Sequence, residues 1–149
     1  LNTSSRFAFA VHVLALLSRQ EGVPLSSEMI AGSVNTNPAL IRRLLTMLAE
    51  AGLTTSQLGA GGGALLAREP QAVTLLDVYR AVDEGQLFAL HREAPNPACV
   101  VGRNIQHVLR DVIDDAQRAM ETSLAARTLA DVTADVVRNE RRLARRRSG

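Results

Sequence analysis

From Phe7 to Leu17 the chain is apolar at every position except His12. A helix that is apolar nearly all round has to be wrapped by other elements, so this run predicts a central first helix over residues 5–19. Thr3, Ser4 or Ser5 can cap it, and Gly22 with Pro24 closes it. The run is too short for a membrane span, which needs roughly 20 apolar residues. The charged stretch Ser18-Arg-Gln-Glu-Gly22 behind it lacks the small-residue cleavage pattern of a secretion signal. A second helix is predicted from Ser26 to about Val34, with Met29, Ile30 and Val34 on its apolar face. Asn37 followed by Pro38 is a helix start, with Asn as the N-cap and Pro at the first helical position, where no N–H is needed. The third helix then runs over residues 38–51, stopped by Gly52. Ile41, Leu44, Leu45, Leu48 and Ala51 recur on one side of it, and Ala39, Arg42, Arg43, Thr46 and Glu50 on the other.

Beyond Gly52 the pattern changes. Leu53 to Leu58 is rich in Thr and suits a strand, Gly59 to Gly63 is a glycine-rich turn, and Ala64 to Ala67 suits a second short strand. Thr74 and Asp77 form a capping box for a fourth helix that ends near Asp83 and Gly85. Residues 86–102 carry Pro95, Pro97, Cys99 and Gly102 and are expected to be irregular. A long helix is predicted over residues 103–127. Its apolar stripe is Ile105, Val108, Leu109, Val112, Ile113, Ala116, Ala119, Met120 and Leu124, spaced alternately by three and four as in a coiled-coil seam. Thr128 and Asp131 make a second capping box for a last helix, to about Arg138 or beyond. The fold class is mainly α with a small β-hairpin. The expected divisions are a head of residues 1–85, a connector of 86–102, a long pairing helix of 103–127, and a C-terminal helix with an Arg-rich tail over 128–149.

Composition narrows the function. At 149 residues and 46% hydrophobic, the chain is an ordinary globular protein with one sizeable core. Aromatics are only 3% with no Trp, which argues against single-strand nucleic-acid binding on stacking platforms. One cysteine excludes an intrachain disulfide and suits a reducing cytoplasm. The net charge of +2 is unevenly spread: +1 over residues 1–70, −4 over 71–137, and +5 over 138–149. A basic end of this kind is commonly a solvated helix end, and it can also contact phosphate without reading sequence.

Helix, helix, turn, helix and glycine-tipped hairpin is the order of a winged helix-turn-helix. A helix fits the major groove of double-stranded DNA, where each base pair presents a distinct pattern of donors and acceptors. Arg42 and Arg43 can reach guanine or phosphate, with Ala39 and Thr46 beside them. Asn35, Thr36 and Asn37 stand at the positive end of the third helix, where they can donate to phosphate. In the wing, Gln57 is a groove candidate, and Gly59 and Gly61 allow close main-chain approach. The alternative for the same elements is a protein-interaction module without specific DNA affinity.

The block from Ser33 to Leu53, the wing Gly59-Ala-Gly-Gly-Gly-Ala-Leu-Leu-Ala67 and the segment from Thr74 to Gly85 resemble the Rrf2 family of bacterial winged-helix transcription regulators. The likeness spans roughly residues 5–125. It implies a homodimer paired through the long helix at Ile105, Val108, Leu109, Val112, Ile113, Ala116 and Met120, acting on a palindromic operator, with repression as the expected sign. Asn96 to His107 resembles the branch with one cysteine there. Cluster-binding relatives carry three cysteines before the long helix. This chain has Cys99 alone, so no iron–sulfur cluster or other cofactor is expected. His12 and His107 are nitrogen ligands by type, but one lies on an apolar helix and the other one turn into the long helix. Cys99 is instead a candidate redox switch, with Arg92, Arg103 and the start of the long helix near it in sequence. The signal would be an oxidant or a small molecule. No catalysis is expected: the glycine-rich turn lacks the Gly-Lys-Ser/Thr of a phosphate loop, and Asp111, Asp114 and Asp115 face no second acidic or histidine cluster.

Overall fold

The computed structural model describes residues 3–83 and 85–149, with side chains from Ser5 onward. The elements are α1 (Thr3–Arg19), α2 (Ser27–Val34), α3 (Pro38–Glu50), β1 (Thr54–Gln57), β2 (Gly63–Leu66), a single 3₁₀ turn (Pro70–Ala72), α4 (Leu75–Val82), α5 (Val100–Ala125) and α6 (Leu129–Arg147). They fall into two units, residues 1–84 with 125–149, and residues 85–124.

The first unit is built around α1. Ala10, Val13 and Leu14 are fully buried, packed with Ile30 of α2, Ile41, Leu44 and Leu48 of α3, Val78 and Val82 of α4, and Leu129 of α6. The helix is not wrapped on every side, as its composition suggests: Ala8 and His12 are exposed, and His12 Nε2 lies 3.0 Å from Ser33 Oγ. Elements on a 10 Å cylinder leave a strip uncovered, and small or polar residues occupy it. In α2 the buried positions are Ile30 and Ala31, whereas Met29, expected on the apolar face, is 60% exposed. Of the α3 stripe, Leu45 is half-buried and Ala51 exposed, so the core contact narrows to Ile41, Leu44 and Leu48.

Local signals set the helix ends. Ser26 Oγ accepts the Met29 N–H at 3.2 Å, and Asn37 Oδ1 accepts the Leu40 N–H at 2.9 Å. Asn35 takes a left-handed conformation (φ 61°) at the end of α2, a role asparagine tolerates better than most residues. Both capping boxes form, Thr74 with Asp77 and Thr128 with Asp131. The Thr128 backbone N–H, 2.8 Å from the Asp131 carboxylate, is the main reason that carboxyl titrates below its ordinary 3.8.

Two backbone bridges tie distant segments together. Leu25 and Ala64 exchange both hydrogen bonds, at 3.1 and 2.8 Å, so the α1–α2 connection adds a rung to the hairpin. Gly63 permits this: a Cβ there would sit 2.3 Å from the Leu25 carbonyl oxygen. Thr74 pairs with Thr128, with the Leu75 N–H on the Arg127 carbonyl at 2.9 Å and the Leu129 N–H on Val73 at 2.8 Å. These bonds seat the start of α6 beside the start of α4, and Leu129 is fully buried.

The second unit holds the connector and α5. The helix starts at Val100 rather than near residue 103. The Cys99 N–H bonds the Asn96 carbonyl at 3.2 Å and the Arg103 N–H bonds the Cys99 carbonyl at 3.0 Å. Gly102 belongs to this first turn because a Cβ would lie 2.3 Å from the Asn96 carbonyl oxygen. Farther along, Gln117 Oε1 accepts the Leu87 N–H, and Gln106 donates to the His91 carbonyl. No described residue of this unit is buried.

Candidate nucleic-acid interface

The outward face of α3 follows from its inward one. With Ile41, Leu44 and Leu48 in the core, the 3.6-residue period turns Ala39, Thr46 and Glu50 directly away from it, with Arg42 and Arg43 flanking that face on either side. All five are exposed. The two arginines differ in their surroundings. Arg42 Nη2 holds Glu28 Oε1 of α2 at 2.6 Å, whereas Arg43 has no acidic partner among the described residues. The Glu28 carboxyl is held below its ordinary value, first by its own backbone N–H at the start of α2 and also by the Arg42 guanidinium. Both partners are about 60% exposed (59% and 62%). An exposed pair of this kind is screened by solvent and adds little to stability, so Arg42 can leave Glu28 for a phosphate at small cost. The Thr46 hydroxyl donates to the Arg42 carbonyl at 3.0 Å, and the residue is exposed.

The turn before α3 spends much of its donor capacity internally. The backbone N–H groups of Asn35 and Thr36 bond Ala31. Pro38 has no N–H, Leu40's goes to the Asn37 side chain and Ile41's to the Asn37 carbonyl. Ala39 is left to present a first-turn N–H, together with the side chains of exposed Asn35 and Asn37 and half-buried Thr36.

The wing is a two-stranded antiparallel hairpin with Thr54 opposite Leu66 and Gln57 opposite Gly63. Thr54 faces the core, and Thr55, Ser56 and Gln57 are exposed. Gly59 (φ 95°) and Gly61 (φ 75°) take left-handed conformations, and a Cβ on Gly62 would lie 2.1 Å from the Gln57 carbonyl oxygen. The strand stops at Gln57, so Leu58 falls in the tip and is 91% exposed. Leu58 thus falls outside the strand expected over residues 53–58, and a lone leucine against a run of glycines has nothing to pack on.

In the second unit the pairing stripe lies open. Val108 and Val112 are more than half exposed, and Ile105, Leu109, Ile113, Ala116 and Met120 are half-buried. Phe88 to His91 run against Leu109, Val112 and Ile113, lining an open groove. Cys99 is a free, exposed thiol immediately before α5. The Arg103 guanidinium is directed at the carbonyls of Pro97 and Ala98, at 3.4 and 3.5 Å. The donor set does not fit iron or a cluster within one chain. There is one thiol, and among the described residues no group of three or more His, Cys, Asp or Glu side chains is placed to hold a metal. No described helix is long and apolar enough to cross a membrane.

Residues 3–135 match the model of the Rrf2 family, described as iron-dependent transcriptional regulators. The Bacillus subtilis protein YwnA, which carries the name of an HTH-type transcriptional regulator, is 48% identical over 130 residues, covering 87% of this chain and 95% of that protein. Among solved structures, T. potens IscR is 26% identical with a TM-score of 0.69, over 91% of this chain and 88% of the other. CymR of B. subtilis, described as the global cysteine regulator, is 27% identical with a TM-score of 0.62, over 90% and 97%.

Proposed function

The chain belongs to the Rrf2 family of DNA-binding transcriptional regulators, and we propose that it is a homodimeric repressor acting on a palindromic operator. The observation that carries this reading is the outward face of α3, with Arg43 unpaired, in the same unit as a glycine-tipped wing. Arg43 and, once released from Glu28, Arg42 read guanine or phosphate in the major groove. The Thr46 methyl and Ala39 pack on base edges. The wing follows the backbone or minor groove through Gln57 and the glycines, and Leu58 is an apolar side chain of the type that wedges against minor-groove steps.

Pairing through α5 is supported by its uncovered apolar stripe, and two heads on one face of DNA stand about 34 Å apart. Exposed Cys99 is the signal input in this reading, and no cluster takes part because one chain supplies one thiol. Peroxide would oxidise the Cys99 thiol to a sulfenic acid, one peroxide oxygen passing to sulfur and the other leaving as water. A Cys99→Ser variant then binds DNA and ignores peroxide; a variant that still responds rules out the switch.

The test is fluorescence anisotropy with duplex DNA from upstream of the protein's own gene, beside a scrambled duplex, across a salt series with reductant present. Tight binding to the native duplex that weakens steeply with salt supports the reading. Equal, weak and salt-insensitive binding to both would favour a protein-interaction module.

A further inference from the structure

The proposed reading uses α3, the wing and α5, and it leaves the end of α6 without a task. This helix continues to Arg147, well past the point where it has anything to rest on. Its first half packs along α1, with Leu129 buried and Val132, Thr133 and Val137 half-buried. Every residue from Arg138 onward is exposed. At 100° per residue, Arg138, Arg141, Arg142, Arg145 and Arg146 share one face about 140° wide, and Glu140 stands on the other side. Arg138 is neutralised by Asp135 at 2.9 Å, a carboxylate that also binds Arg127. Arg142 contacts only the Asn139 side chain, and Arg141, Arg145 and Arg146 have no acidic partner among the described residues.

Like charges three and four residues apart destabilise a helix, and beyond Arg138 this face sets three such pairs side by side, Arg141 with Arg145, Arg142 with Arg145 and Arg142 with Arg146. The last-turn arginines gain something from the helix dipole, but that effect fades within one turn. The remaining repulsion is relieved by a polyanion. Position points to which one. Arg138 and Arg141 line a groove with Ser18, Pro70 and Gln71, and those same three residues border the segment leaving β2. The arm therefore leaves the first unit beside the base of the wing.

We propose that the exposed end of α6 is a phosphate clamp that grips the backbone of duplex DNA beside the segment contacted by α3 and the wing. This rests on the DNA-binding reading above. The arm adds affinity without sequence preference, because arginines on phosphate carry no base information. From Arg138 to Arg146 the helix rises about 12 Å, and one strand passes a phosphate every ~3.4 Å of axis, so one arm covers about three phosphates.

The experiment compares the native chain with an Arg141→Gln/Arg142→Gln/Arg145→Gln/Arg146→Gln variant and its all-Lys counterpart. Anisotropy is read on the upstream and scrambled duplexes across a salt series. The Gln variant is expected to lose affinity by the same factor on both duplexes, with a salt slope shallower by about 2–3 per arm. The Lys variant keeps the slope, which separates charge from helix structure. A Gln variant with an unchanged slope overturns the clamp. If it also dissociates as a dimer, the arm pairs instead with the acidic face of a second copy at Asp111, Asp114 and Asp115. Failure of the regulator reading looks different: the native chain then does not prefer the upstream duplex, while the slope difference on scrambled DNA still reports the arm. A native chain with no salt-sensitive DNA binding at all overturns both.

Discussion

In the first unit Leu14, Ile30, Ile41, Leu44, Leu48 and Leu129 are fully buried. In the second no described residue is, and Val108 and Val112 stand more than half exposed on a helix of 26 residues. Long helices gain most of their stability from packing an apolar face. The first unit finds that packing within itself: α1 meets α2, α3, α4, α6 and β2. The α5 stripe lies against the connector, held through Gln106 and Gln117. The unit that carries the proposed DNA contacts is thus packed within one chain. The unit that carries the proposed pairing stripe leaves that stripe exposed to half-buried, so burial there is still to be gained.

The hardest blow to this contrast is a core truncation. Leu44→Ala is expected to cost about 2–5 kcal/mol in urea unfolding, because the cavity sits where α3 meets the core. Val112→Asp acts on the other side. It should weaken dimerisation by about 2 kcal/mol or more in sedimentation equilibrium, since it buries a carboxylate at the pairing surface. The unfolding of the first unit should not change, and a matching loss there would erase the distinction between the units. Within the first unit, Arg43→Ala is expected to cost about 1–3 kcal/mol at one base position of the operator if it reads guanine. An equal loss on every sequence would make it a phosphate contact. Arg42→Ala should cost less, as Arg42 starts from its pair with Glu28. The smallest effect is acid sensitivity at the start of α6. The Asp131 pKa is lowered on folding, so its contribution is present above its ordinary 3.8 and is lost as pH falls through the folded value. Asp131→Asn should flatten the melting temperature against pH in that acid range and leave it unchanged in slope near neutrality.

What could be read in the sequence was local. Asn37-Pro38 and the two capping boxes announce their helices because each partner lies within three residues. The outward face of α3 followed from the period of its leucines. Contacts between distant segments were not legible. Glu28 and Arg42 are 14 residues apart, and their pairing depends on how α2 meets α3. The Leu25–Ala64 rung needs the hairpin already folded, and Gly102 reads as a breaker until Asn96 is seen against it. Exposed Met29 and His12 show the same limit from another side: an apolar neighbourhood in sequence does not say which face is covered.

The rung between Thr74 and Thr128 makes residues 85–124 an insert in a chain that resumes its own fold afterwards. Closing a loop costs only slowly more as it lengthens. Evolution can therefore lengthen, shorten or replace this insert as a cassette without recutting the core of the first unit.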